Sequence, residues 1–208
     1  MKLFDCTLYL VTDRNISKHG DFENIVEEAI KGGCTLVQLR EKNIDTDLLY
    51  RRALSLKKIT DQYGVPLIIN DRIDIMQAVD AAGVHLGQSD MPVKIARKII
   101  GKNKIIGISA HTVEEAKEAE LCGADYLGAG ALFQTETKRN IKSITTDMLT
   151  NIKKSVSIPV VAIGGINAEN IMELKESGID GIAVSSAIMK SKTPKTAAVI
   201  LREKLKNW

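Results

Sequence analysis

Aromatic residues are scarce in this 208-residue chain: one Trp, four Tyr and three Phe, 4% of the total. That is too few for a base-stacking surface. Cysteine is scarcer still. Cys6, Cys34 and Cys122 lie far apart, are odd in number and form no CxxC pair, so neither a disulfide framework nor a zinc site is indicated. Cys34 and Cys122 each adjoin a glycine and read as small packing residues in a reducing cytoplasm. Charge of one sign is lacking as well: 29 Lys and Arg oppose 26 Asp and Glu, for a net +3 with no basic block. Neither a nucleic acid nor an anionic membrane is therefore the implied partner. No apolar run approaches a membrane span, and Leu8–Val11 is too short for a secretory signal, so a cytoplasmic location is expected. With only four Pro, and with 44% hydrophobic and 26% charged residues, disordered and collagen-like chains are excluded. Such a length suits one domain with a large core.

What is present is a repeated alternation. Eight short apolar runs stand at Thr7–Val11, Leu36–Leu39, Pro66–Ile69, Gly83–Leu86, Ile105–Ile108, Tyr126–Leu127, Pro159–Ile163 and Gly181–Val184. Several are continuously apolar, as parallel strands buried on both faces are. Between them lie segments with a 3.6-residue period: Ile25, Val26, Ala29 and Ile30 behind a capping Asp21; then Leu48, Leu49, Ala53, Leu56 and Ile59. Thr112 opens a capping box with Glu115 for a helix reaching Cys122. Asn167 is expected to cap a segment ending at Ser177, and a last helix starts near Pro194 with Ala197, Ala198, Ile200, Leu201 and Leu205. Gly33, Gly83, Gly123 and Gly178 each fall where a helix stops and a strand follows, a place for left-handed backbone. Eight strand–helix units in ~200 residues sit at the lower size limit of a (β/α)8 TIM barrel. The rival, an open doubly wound sheet, would usually have fewer strands, and no GxGxxG follows the first strand. Residues 1–208 thus read as a single α/β barrel.

In such a barrel, chemistry belongs at the C-terminal strand ends. After the second strand, the two-residue period sets Gln38, Arg40 and Lys42 on one side and Leu39 and Glu41 on the other. An amide and two cations suit a phosphate or diphosphate, although Arg40 could equally pair with an acid at the rim. Asn70-Asp71 and Asp90 follow the third and fourth strands. Singly, Asp71 and Asp90 read as helix caps; together, opposite the cations, they could hold a hard cation such as Mg2+. Ser109 could donate to a phosphate oxygen, while Thr112 caps a helix; His111 could be a general base or phosphate contact but, with no sequence-local partner, reads rather as a loop packing residue. His85 lies within a strand and His19 in a loop, and no histidine is given a catalytic role. Thr135-Glu136-Thr137-Lys138 alternates hydroxyls ahead of a lysine, an anion-gripping loop. Gly164-Gly165 and Ser185-Ser186 follow the seventh and eighth strands, where these barrels recurrently bind phosphate.

Tyr9 to Asp13, Gln38 to Lys42, Asn70 to Arg72, Gly83 to Gln88 with Asp90, Ser109 to Thr112, Thr135 to Lys138, Ala162 to Ile166 and Ser185 to Ile188, in this order, resemble the thiamine phosphate synthase family over almost the whole chain. The resemblance implies a Mg2+-dependent transferase acting on small phosphorylated substrates. It joins a hydroxymethylpyrimidine diphosphate to a hydroxyethylthiazole phosphate, or the carboxylated form of that thiazole, and releases diphosphate. It further implies that Gln38, Leu39, Arg40, Glu41, Lys42, Asn70, Ser109 and Lys138 hold the pyrimidine diphosphate. Arg40, Lys42 and Lys138 would be the catalytic cations and Asp71 and Asp90 the Mg2+ ligands. Thr135, Glu136, Thr137, Gly165, Ser185 and Ser186 would hold the thiazole phosphate. The alternatives are a thiazole tautomerase of the same ancestry and a silent barrel that binds a phosphorylated ligand and regulates. Nothing in the pattern excludes a homo-oligomer.

Overall fold

The computed structural model describes residues 4–16, 21–133, 144–206 and 208. The expected order is observed: β1 (Leu8–Val11), α1 (Phe22–Lys31), β2 (Leu36–Leu39), α2 (Thr46–Gln62), β3 (Leu67–Asn70), α3 (Ile73–Ala78), β4 (Gly83–Leu86), α4 (Val93–Ile100), β5 (Ile105–Ala110), α5 (Val113–Leu121), β6 (Tyr126–Gly130), α6 (Thr146–Ser155), β7 (Val160–Ile163), β8 (Gly181–Val184), α7 (Ser186–Met189) and α8 (Pro194–Leu205). The strands are parallel and close in chain order into a barrel, β8 meeting β1 through Leu8↔Ile182 and Leu10↔Val184. This is the (β/α)8 TIM barrel.

Strand alternation sorts the apolar residues into two cores. Leu8, Leu10, Val37, Leu39, Ile69, Val84, Leu127 and Ile182 face outward and pack under the helices. Tyr9, Val11, Leu36, Ile68, Ile105, Tyr126, Val161 and Ala183 fill the interior. Where the interior is too narrow for a side chain, glycine stands: a Cβ at Gly181 would run into the Cys6 carbonyl, and one at Gly83 into that of Ile105. The function of Gly83 is therefore close strand packing. At that junction Asp80, at φ 52°, takes the left-handed turn instead. Gly33, Gly123 and Gly178 do adopt positive φ as expected.

The helices follow their stripes with local departures. Ile25, Val26, Ala29 and Ile30 are buried in α1, but the Asp21 side chain makes no capping hydrogen bond. Leu48 in α2 and Ile200 in α8 are exposed, 42% and 44%, because each stripe is narrower than the run of apolar residues. Thr112 does cap α5, its hydroxyl accepting from the Glu115 N–H at 3.2 Å. The segment expected after Asn167 is a 3-10 helix, Ile171–Ser177, with Asn170 at its cap position. Asn167 closes the preceding turn instead, its Oδ1 accepting from the N–H groups of Glu169 and Asn170.

Candidate active site

One cavity of about 520 Å³ opens at the C-terminal ends of the strands. Its walls are the inward positions of successive strands continued by the loops after them, so it collects Gln38 and Arg40 from β2, Asn70 and Asp71 from β3, His85 from β4 and Ser109 from β5. The two-residue period after β2 holds: Gln38, Arg40 and Lys42 line the cavity and Leu39 and Glu41 do not. Leu39 is in the outer core. Glu41 turns away, its side chain only 7% exposed, to pair with Arg52 at 3.0 Å and Arg14 at 3.5 Å. These two expected substrate contacts are thus not brought into the cavity, because alternate side chains of an extended segment must point to opposite faces.

The charged groups meet in pairs. Arg40 approaches Asp13 at 3.9 Å, and its backbone N–H donates to the Thr12 hydroxyl at 3.1 Å. Lys42 Nζ lies 3.2 Å from Asp71, its side chain half exposed. Asp71 sits at φ 60°, a left-handed position that turns its carboxylate back over the mouth. Neither acid caps a helix. The residue before α3 is Arg72 and that before α4 is Pro92, while one Asp90 oxygen accepts from the Gly87 N–H at 2.7 Å. Burial, and then the neighbouring Asp90 carboxylate, raise the Asp71 pKa above its ordinary value, with Lys42 pulling it back. Two carboxylates forced together in a half-buried mouth are a donor set that a hard divalent cation would satisfy, with its remaining positions left to water or phosphate oxygens. Among the described residues no cluster of three His, Cys, Asp or Glu side chains offers an alternative metal site.

Opposite, Gly164 (φ 108°) and Gly165 (φ 68°) form the loop after β7. A Cβ at Gly164 would come within 2.6 Å of Ala131, so only glycine lets these loops meet. Beside them Ser185 carries a buried hydroxyl oxygen with no partner among the described residues, and Ser186 lines the same wall. Thr135, Glu136, Thr137 and Lys138 lie outside the described residues.

Sequence reasoning named Gln38 and Ser109 but missed what joins them, Tyr9 and His85 on the cavity floor and the buried Tyr126 beneath it. Gln38, Tyr9, Tyr126, His85 and Ser109 are joined by hydrogen bonds of 2.6, 2.8, 2.9 and 3.1 Å across five strands. His111, expected either to pack in its loop or to serve as a base or phosphate contact, lines the cavity, its ring nitrogen 3.2 Å from Glu115. The signal for the floor was available: the alternation that turns Gln38 inward also turns Tyr9, His85 and Tyr126 inward. The apolar character of those runs hid it.

Fold and site first define a class, a (β/α)8 barrel whose one polar mouth gathers cations, a pair of acids and a glycine loop. A family model described as thiamine monophosphate synthase matches residues 8–188. The chain is 57% identical over 199 residues to the thiamine-phosphate synthase of Ruminiclostridium cellulolyticum, covering 96% of this chain and 95% of that protein. To that of Clostridium tetani it is 55% identical over 196 residues, 94% of each. The solved thiamine phosphate pyrophosphorylase from Pyrococcus furiosus superposes with a TM-score of 0.88 at 43% identity, covering 97% of this chain and 96% of that one. The chain belongs to the thiamine monophosphate synthase family and is a transferase.

Proposed function

We propose that this barrel condenses a hydroxymethylpyrimidine diphosphate with a thiazole phosphate, giving thiamine phosphate and diphosphate. The carrying observation is that Arg40, Lys42, Asp71 and Asp90, from three different loops, surround one cavity. The names of the relatives support the same reading. In the reaction the carbon–oxygen bond to the diphosphate breaks with both electrons leaving on oxygen, and the thiazole nitrogen lone pair then forms the new bond to that carbon. No protein nucleophile takes part.

The work left to the chain is electrostatic. Arg40 and Lys42 balance the charge that gathers on the departing diphosphate, and Gln38, Asn70 and Ser109 orient the pyrimidine diphosphate. Asp71 and Asp90 are the residues that would hold Mg2+, which supplies further charge neutralisation when bound. Gly165, Ser185 and Ser186 form the opposite cradle for the thiazole phosphate, where glycine allows backbone N–H groups to approach an anion and the unpartnered Ser185 hydroxyl gains a bond. Thr135, Glu136, Thr137 and Lys138 belong to this scheme by the family resemblance alone.

The test is diphosphate release on mixing both substrates with Mg2+, beside calorimetric titration of each ligand. Release that needs both substrates and the metal is expected. Binding of both ligands without release would overturn the reading and leave a tautomerase or a silent phosphate binder.

A further inference from the structure

Counting protons from the Gln38 amide gives the polar chain on the cavity floor one consistent direction. The Gln38 amide nitrogen donates to the Tyr9 oxygen. Tyr9 has one proton of its own, and Tyr126, 2.8 Å away, is where it can go. In that direction Tyr126 gives its one proton to His85 Nδ1 at 2.9 Å, which leaves the ring hydrogen on Nε2. Nε2 in turn lies 3.1 Å from Ser109 Oγ. Burial pushes the pKa of both phenols up, so each keeps the proton that this count requires. The barrel makes room for the arrangement. A Cβ at Gly107 would run into the Tyr126 ring, and one at Gly128 would come within 3.1 Å of the His85 ring.

We propose that His85 is a positioning residue: fixed by Tyr126 as its Nε2–H tautomer, it occupies a lone pair of Ser109 Oγ and leaves the Ser109 hydroxyl proton aimed into the cavity as a donor. At the other end the same direction leaves Gln38 Oε1 as an acceptor. A departing phosphate oxygen fits a donor at Ser109. A donor matters most where negative charge grows, so the contribution of His85 falls on kcat more than on KM. This inference rests on the reaction proposed above.

A double-mutant cycle on diphosphate release tests it, together with 15N–1H NMR of the imidazole. The wild-type spectrum should show His85 as the Nε2–H tautomer. Ser109→Ala should lower kcat about 10²-fold, the scale of one lost oxyanion donor, and His85→Leu about tenfold or more. The double variant should be no slower than Ser109→Ala within about twofold, because His85 acts through Ser109. His85→Gln, which can set an amide N–H where Nε2–H stands, should recover most of the rate. Independent, multiplicative losses or an Nδ1–H tautomer would overturn the proposal. If His85→Leu does not fold, Tyr126→Phe, which removes one oxygen, replaces it in the cycle with the same expected non-additivity. A wild type that releases no diphosphate sinks the reaction, whereas an active enzyme with the Nδ1–H tautomer sinks this relay alone.

Discussion

Asp71 is half buried beside a second carboxylate, and both features oppose its ionised form, while the Lys42 ammonium 3.2 Å away favours it. A carboxyl whose folded pKa is raised favours the fold most when protonated. That contribution is complete below the ordinary carboxylate pKa and is lost as pH rises through the raised one. Asp71→Asn removes the charge and should therefore raise the melting temperature at neutral pH, with the gain vanishing in acid. Lys42, half exposed, remains solvated without its partner. Turnover of the same variant should fall by orders of magnitude if Asp71 is a metal ligand. Thermal melts by circular dichroism at two pH values, with activity at saturating Mg2+, check both halves. Near-normal activity would remove Asp71 from the metal site.

At the scale of the element, two N-termini that look alike in sequence behave differently. Thr112 accepts from the Glu115 N–H, whereas Asp21 occupies the cap position of α1 without a side-chain hydrogen bond. Thr112→Ala should destabilise by about 1 kcal/mol through the loss of a real cap, while Asp21→Ala should change stability by a few tenths at most. Urea denaturation of the two variants distinguishes them, and equal losses would show that the cap geometry does not control helix entry. Cap residues are readable as residue types. Whether the hydroxyl or carboxylate reaches the N–H depends on the backbone that leads into the helix.

The whole molecule depends on closure of the barrel between β8 and β1. Gly181 faces the Cys6 carbonyl there with no space for a Cβ. Gly181→Ala should cost about 2 kcal/mol or more, read as a lower urea midpoint at unchanged slope, since strands rather than a loose side chain must move apart. The sequence by itself determined the strand–helix order and the barrel, because eight apolar runs at helix-separated spacing leave a parallel sheet few ways to bury both faces. The same alternation determined that Gln38, Arg40 and Lys42 face one way and Leu39 and Glu41 the other, as observed. It also offered Asp71 and Asp90, though equally as caps. Tertiary structure alone decided that neither caps a helix, that the two acids share one mouth, and that Tyr9, Tyr126 and His85 join Gln38 to Ser109. Local sequence sets which face a side chain takes. Only the closed register of eight strands brings residues 117 positions apart, Tyr9 and Tyr126, within hydrogen-bond distance across the barrel.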